Sequence, residues 1–215
     1  TYDARFDKPV SVTDPLGRNT QMTYDDQGNL LSRQRPIGTG QYEYDEAGNL
    51  TEVTDPDGYE RAMEYDSNGY LTRTYIPGSS PGIETNYTYD QRGNVLSKID
   101  PNGYTTSYVY DQMDRLVSLT DPDGNTTSFT YDQNGNLISK TDPRGVTTNY
   151  EYDAYNQLIR KVEAHGTSIE RVTQYSYDSR GNLLSVTDPV NNTTTYTYDD
   201  RNRIQSVTTP LGQTV

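Results

Sequence analysis

The dipeptide Tyr-Asp returns ten times along this chain, at residues 2, 24, 44, 65, 89, 110, 131, 152, 177 and 198. The intervals are 22, 20, 21, 24, 21, 21, 21, 25 and 21. A fixed period of this size marks a repeat array, in which each phrase is one small supersecondary unit that buries its apolar face only against its neighbours. With Tyr counted as position 0, position 4 is usually Gly and position 5 often Asn. Position 6 is Leu at 30, 50, 71, 116, 137, 158 and 183, Val at 95 and Ile at 204. Asp-Pro follows at positions 11 and 12, beginning at Asp55, Asp100, Asp121, Asp142 and Asp188, and one place later at Asp14 in the first phrase.

Position 19 holds Met22, Tyr42, Met63, Tyr87, Tyr108, Phe129, Tyr150, Tyr175 and Tyr196. Each precedes the next Tyr of Tyr-Asp by two residues, and strand residues two apart share a face. The intervening residues are polar, as in Thr193, Thr195 and Thr197, so this half of the phrase predicts a half-buried β-strand. Leu137 to Thr141 exemplifies the second, shorter strand. No apolar residues fall at helical spacing, and Gly or Pro interrupts about every ten residues. The expected fold class is therefore all-β: antiparallel β-hairpin repeats of about 21 residues forming a coiled ribbon.

Turn chemistry supports the same unit. Asp-Gln-Asn-Gly-Asn at 132–136 suits a three-residue bulged loop with Gly in the left-handed conformation. Asp opens the turn because its carboxylate caps nearby N–H groups. Asp142-Pro143-Arg144-Gly145 is a type I signal. The turn residues expected to matter structurally are Asp14, Gly28, Asp55, Gly93, Asp100, Asp121, Gly135, Asp142, Gly181 and Asp188. If the first turn pairs positions 1 and 5, Tyr 0 lies opposite Leu 6. If the Asp-Pro turn pairs 10 with 15, Leu 6 lies opposite aromatic 19 and Ser 8 opposite Thr 17. Both aromatics and Leu then share one face, and the register slips two residues per phrase, which coils the sheet. A bulge at the Asp-Pro turn would flip the faces.

The predicted aromatic face comprises Tyr24, Tyr42, Tyr44, Tyr65, Tyr87, Tyr89, Tyr108, Tyr110, Phe129, Tyr131, Tyr150, Tyr152, Tyr175, Tyr177, Tyr196 and Tyr198. Residues 76–84 and 163–172 lengthen two phrases at the Asp-Pro end, and 35–40 shorten one, so loops at one edge absorb these changes, while the first phrase has one extra residue near Phe6. No linker interrupts the array, and 1–215 reads as a single repeat array without separate domains. It starts and stops in mid-phrase, which reads as a piece of a longer polypeptide. The last hairpin is expected to lack its return strand after Leu211-Gly212.

Composition matters here for what it excludes. Leu, Ile, Val and Phe total 36 of 215 residues, low enough to suggest disorder on composition alone. Yet there are 21 tyrosines, and disordered chains are poor in aromatics. Cysteine is absent, which excludes disulfides, thiolate metal sites and a Cys nucleophile. The net charge of −13, with no basic cluster, argues against nucleic acid and against an anionic membrane surface as partners. No apolar run is long enough for a transmembrane helix.

The phrase Y-D-x-x-G-N-L-x-S-x-T-D-P-x-G-x-x-T-x-Y-x-Y-D resembles the RHS/YD repeat along the whole chain. That family includes bacterial Rhs polymorphic toxins, the C component of insecticidal toxin complexes, wall-associated bacterial proteins and the teneurins. The resemblance implies a β-ribbon that spirals into a hollow shell, which in the toxins encloses a C-terminal effector domain. It also implies a secreted or cell-surface parent, bacterial in the look of its phrases. Neither a self-cleavage segment nor a non-repetitive domain follows the repeats within these residues. The chain is accordingly expected neither to cut itself nor to carry a toxin of its own.

Every candidate site has a structural counter-reading. The Asp spacing matches no calcium loop, and turn capping accounts for it. The tyrosine rows suggest a sugar-stacking platform, but their in-register recurrence on one face is better explained as the buried face of a fold short of Leu and Ile. His165, the one histidine, sits in a lengthened turn near Glu163, where no Ser or Thr is marked as a nucleophile. Asn86, Asn125 and Asn192 stand in Asn-x-Thr sequons that matter only in a eukaryotic secretory host. No catalytic residue, metal or cofactor is expected. The leading expectation is a non-catalytic shell segment partnered by the rest of its polypeptide and an enclosed effector domain. The alternative is a carbohydrate- or cell-surface-binding adhesin module, which the absence of Trp disfavours. Self-association through edge strands is a further expectation.

Overall fold

The computed structural model describes residues 1–80 and 82–215. Among the described residues there are nineteen strands, from Ser11–Thr13 to Ile204–Thr208, paired antiparallel with their sequence neighbours within each unit, and no helix. By their internal contacts the residues divide into two compact units, Thr1–Ser107 and Tyr108–Val215. Within each unit the chain is a meander. Leu137–Thr141, for example, pairs with Thr126–Tyr131 before it and Thr147–Tyr152 after it.

Two departures from the predicted register cancel. At the first turn Tyr131 lies opposite Leu137, as expected. At the second, Ser139 lies opposite Asn149 and Lys140 opposite Thr148, so Ser 8 meets position 18 rather than Thr 17. The cause is that the Asp-Pro turn is bulged too. The Asp142 amide donates to the Val146 carbonyl at 2.9 Å and the Gly145 amide to the Asp142 carbonyl at 2.9 Å. The Tyr-Asp turn closes in the same way, Asp132 to Asn136 at 3.0 Å and Gly135 to Asp132 at 3.2 Å. A second bulged turn alone would put Leu on the wrong face. The register also shifts between Thr130 and Tyr131, where one extra residue enters the strand after Leu137, and this restores Leu to the aromatic side.

The slip per phrase is constant. Thr130 pairs with Ser139, which pairs with Asn149. Thr130 stands one place before its Tyr-Asp and Asn149 three places before the next, so two places are lost in one phrase. The long phrases behave alike: Glu64 leads through Arg73 to Asn86, and Glu151 leads through Arg160 to Gln174. In the short phrase Thr23 leads through Ser32 to Gln41. Every one of these paths starts one place before a Tyr-Asp and ends three places before the next. The slip survives because the length changes lie in loops beyond the ladder. The 76–84 tract is closed by the Ile76 amide donating to the Ile83 carbonyl at 3.1 Å, and its Pro81 lies outside the described residues. In the other long turn the His165 amide donates to the Thr147 carbonyl at 2.9 Å. The short phrase turns on Pro36 and Ile37 alone, with Arg35 opposite Gly38.

The strand expected to be missing after Leu211-Gly212 is present as a short return. Thr214 bridges Thr208, and Val207 and Val215 exchange both backbone hydrogen bonds at 3.0 Å.

No closed core forms. Among the described residues the buried apolar side chains are Ala62, Val162 and Ala164, and only Val162 is almost fully enclosed. Cohesion therefore rests on the strand ladders, on half-buried aromatics and on side-chain hydrogen bonds along the other face. There the threonines and serines zip together: Thr23 to Ser32, Thr88 to Ser97 and Ser176 to Ser185, each at 2.7 Å.

Candidate functional site: the aromatic face and its two rims

All sixteen predicted face aromatics are half-buried, whereas position 20 is exposed in every phrase, from Thr23 to Thr197. Position 18 is exposed in most phrases but buried at Ala62 and half-buried at Asn86 and Asn149. The two aromatic rows differ in chemistry. At position 0 the hydroxyl reaches back one phrase and donates to a main-chain carbonyl. Tyr65 donates to Leu50 at 2.8 Å, Tyr89 to Leu71 at 2.7 Å and Tyr131 to Leu116 at 2.8 Å. Tyr152 donates to Leu137 at 3.1 Å, Tyr177 to Leu158 at 2.9 Å and Tyr198 to Leu183 at 3.0 Å. Tyr24 does the same to Pro9 at 2.9 Å. Apart from Pro9, the acceptor is in each case the Leu 6 carbonyl. It lies past the last ladder pair between its strand and the next, Ser139 with Asn149 in the phrase of Leu137, so no strand partner is aligned with it.

This latch gives position 0 a use for the Tyr hydroxyl in the seven phrases just named, whereas position 19 accepts Met22, Met63 and Phe129. Among the described residues the position-19 tyrosines make no hydroxyl hydrogen bond. Burial raises the phenol pKa of Tyr44, Tyr65, Tyr89, Tyr152 and Tyr177, and a neighbouring carboxylate adds to it, Asp132 in the case of Tyr152. The phenols thus remain neutral donors.

The Tyr-Asp and Asp-Pro turns are each built around one carboxylate. Asp132 Oδ1 accepts from the amides of Asn134 and Asn136 at 2.9 and 2.8 Å, while Oδ2 accepts from Asn136 Nδ2 at 2.8 Å. Asp121 and Asp188 repeat this with Asn125 and Asn192. Asp14 does so with Arg18, and Asp142 with Arg144 and Val146. Asp55 and Asp100 accept the same two amides, from Asp57 and Tyr59 and from Asn102 and Tyr104. The side-chain bond from Arg18 holds Asp14 below the ordinary carboxylate range, as Asn125 does for Asp121 and Arg144 for Asp142.

The turns after Tyr-Asp also touch each other. Asn134 and Asn136 both donate to Asn156 Oδ1 of the next turn, at 2.9 and 2.8 Å. Gly93 has φ +90°, and a Cβ there would meet the Tyr70 hydroxyl at 2.6 Å. Gly28 and Gly181 face Phe6 and Gln157 in the same manner, while around Gly135 the space is open. Glycine thus serves both the left-handed turn and close stacking on the preceding phrase.

No group of three metal-ligating side chains occurs among the described residues. His165 Nδ1 lies 3.5 Å from Glu170 rather than beside Glu163, and the ring is exposed. The sequon side chains are engaged in the fold: Asn125 and Asn192 donate to their turn aspartates and Asn86 to Glu84. The sequence did not disclose the Tyr–Leu latch or the Asn stacking. The one available signal was the strict Tyr at position 0 beside a variable position 19.

The teneurin YD-shell family matches residues 1–139, and RHS repeats match 131–168 and 177–214. Over 95 residues the chain is 32% identical to the double-stranded DNA deaminase toxin A of Burkholderia cenocepacia strain H111, covering 44% of this chain and 6% of that protein. It superposes on the Photorhabdus luminescens Tc holotoxin pore with TM-score 0.57 at 16% identity, over 94% of this chain and 13% of that one. The crystal structure of TcdB2-TccC3 without its hypervariable C-terminal region gives TM-score 0.52 at 16% identity, over 93% and 16%. At that identity the likeness is one of fold. The chain spans a small fraction of each of these relatives.

Proposed function

Because the chain belongs to the RHS/YD-repeat family, we propose that it is a wall segment of a YD shell, a structural and non-catalytic part of a longer, secreted or cell-surface bacterial polypeptide. The shell would enclose or display another part of that polypeptide, such as an effector domain. The observation that carries this reading is the two-residue slip, which is the same in the short phrase, the ordinary phrases and the long ones. A constant slip of one sign tilts successive strands alike, which a wall needs and an isolated binding hairpin does not. The half-buried aromatic face suits a wall lining, since it is neither a closed core nor a set of separate pockets.

Limited proteolysis of the full-length polypeptide tests this. The part carried with the repeats should survive a protease level that digests it when expressed alone. Equal digestion rates in both settings would overturn enclosure. Selective binding of the repeats to members of a glycan array would favour the adhesin alternative instead.

A further inference from the structure

The chain carries a net charge of −13, yet four cations meet in one concavity of the Tyr108–Val215 unit. It has a volume of about 420 Å³ and is lined by Lys140, Arg144, Lys161 and Arg171. That volume falls within the ~300–1,000 Å³ of ligand clefts. The four residues are spread over 140–171 without a basic run, so the cluster exists only once the strands pair. Lys140 lies opposite Phe129 on one side and Thr148 on the other, and Lys161 lies opposite Tyr150, so all of these share the aromatic face.

Arg171 is supplied by the long phrase. An ordinary phrase ends its second ladder at a pair such as Thr141–Thr147 or Thr187–Thr193. Here the ladder runs one pair further, through Val162–Val172 to Glu163–Arg171. Thr148 stands one place beyond the Asn149–Val162 pair, so Lys140, Thr148, Glu163 and Arg171 form one row across four strands. The row is about 14 Å wide at the backbone, and the long side chains at its two ends can close on a group held over Thr148. Two carboxylates also line the cavity, and both are engaged. Asp142 accepts from its turn amides and from Arg144 Nη2 at 2.9 Å, and Glu163 Oε1 accepts from Lys161 Nζ at 3.0 Å. Lys140 and Arg171 have no ion-pair partner among the described residues, although Lys140 stands over the Phe129 ring at 6.0 Å. Asp188, which the Asn192 amide and, more weakly, the Arg171 charge hold below the ordinary carboxylate range, is taken up by Val190 and Asn192 of its own turn. The Thr148 and Tyr150 hydroxyls, which also line the cavity, make no hydrogen bond among the described residues. The concavity around Tyr155 has the reverse balance, with Asp153 and Asp178 against Arg180 alone.

We propose that this cavity is an oxyanion-binding site, taking a small organic polyanion whose phosphate or carboxylate oxygens bridge Lys140 and Arg171 and accept from Thr148 and Tyr150. The planar fork of Arg171 suits two oxygens of one such group, and Lys140 supplies a point charge from the opposite side. A macromolecular polyanion is disfavoured, because a chain of net charge −13 repels whatever extends beyond the cavity. The site stands whether or not the chain is part of a wall.

The test is isothermal titration calorimetry of the 215-residue chain with pyrophosphate and with citrate, at low and at physiological salt. Saturable one-to-one binding of at least one probe is expected, weaker at the higher salt. Lys140→Gln and Arg171→Gln should each raise Kd by about tenfold or more, as loss of a hydrogen bond to a charged group does. Tyr150→Phe should also weaken binding, without lowering the stability of the unliganded chain. Arg180→Gln removes the same charge outside the cavity and should leave Kd within about twofold. Lys140, Arg171 and Arg180 are exposed, and circular dichroism should confirm unchanged strand content in each variant. Absence of saturable binding by both probes, binding unmoved by Lys140→Gln and Arg171→Gln, or equal weakening by Arg180→Gln and Arg171→Gln overturns the proposal.

Discussion

Replacing Tyr152 with Phe removes one oxygen and leaves the ring and its packing in place. What is lost is the hydroxyl bond to the Leu137 carbonyl at 3.1 Å. A net hydrogen bond contributes about 0.5–1.5 kcal/mol, and stranding a buried acceptor costs about 1–3 kcal/mol. Tyr152 and Leu137 are both half-buried rather than enclosed, so water can reach the carbonyl in part. We therefore expect about 1 kcal/mol, which for a chain of this size lowers the melting temperature by about 2–4 °C.

The control lies two residues away. Tyr150 shares the face and the half-burial, but its hydroxyl makes no hydrogen bond among the described residues. Tyr150→Phe should therefore change stability by less than about 0.5 kcal/mol, the usual range for substitutions that break no specific contact. Urea unfolding followed by near-ultraviolet circular dichroism measures both, with the slope checked for constancy. Tyr131→Phe and Tyr177→Phe should repeat the Tyr152 result, since their bonds are 2.8 and 2.9 Å. Equal losses at Tyr150 and Tyr152, or no loss at Tyr152, would refute the latch as the use of the Tyr hydroxyl at position 0.

The turn carboxylates predict acid sensitivity. Asn side chains hold Asp45, Asp90 and Asp178 below the ordinary value of 3.8, so their contribution is complete above that value and is lost as pH falls through the lower folded values. The urea midpoint should be flat from about pH 6 to 8 and fall below about pH 4, whereas a midpoint rising on acidification contradicts this. Asp199 caps Arg201 and Arg203 while Asp200 makes no such bond among the described residues, so Asp199→Ala should lower the midpoint and Asp200→Ala should not. Gly58 and Gly93 both have positive φ, so alanine at either costs about 1–2 kcal/mol; Gly93→Ala should cost clearly more, because its Cβ would also strike Tyr70. Tyr131→Ala should cost less than the ~3–5 kcal/mol of an aromatic in a closed core, because this face is only half covered.

The repeat, the all-β class, the two turns per phrase and the shared face of the aromatics were legible because each rests on local spacing. Thr-Tyr alternation dictates a strand wherever it occurs, and Asp-x-x-Gly dictates a turn. The register was legible only in part. Residue types around Leu137 do not disclose whether Ser139 meets Thr148 or Asn149, since either partner is small and polar. The extra residue after Leu137 and the bulged Asp142 turn each shift the faces, and only their combination is silent. The Tyr–Leu latch was hidden for a related reason. Its acceptor is a main-chain carbonyl, which every residue owns, so no side-chain signal marks it.

The latch also explains why length varies mostly at the Asp-Pro rim, the one extra residue of the 3–8 turn being the exception. Tyr131 and Tyr152 reach carbonyls 15 residues back, whereas Tyr89 reaches 18 and Tyr177 reaches 19, yet all four bonds lie between 2.7 and 3.1 Å. The bond closes on strand geometry, and whatever lies beyond the ladder on the Asp-Pro side can lengthen freely. The turns after Tyr-Asp within the array have less freedom, because they stack: an insertion after Gln133 would displace Asn134 and Asn136 from Asn156 and open the Asp132 turn. Four Gly/Ser residues inserted after Ser168, in the already long 164–170 turn, should cost less than ~0.6 kcal/mol, the entropy of doubling a loop. The same insertion after Gln133 should cost several times more and should loosen the neighbouring phrase, read as faster amide exchange at Tyr152 and Asn156. Equal costs at the two sites would mean that the turn stack contributes nothing. The concentration of length changes at the Asp-Pro rim would then need a cause outside the fold.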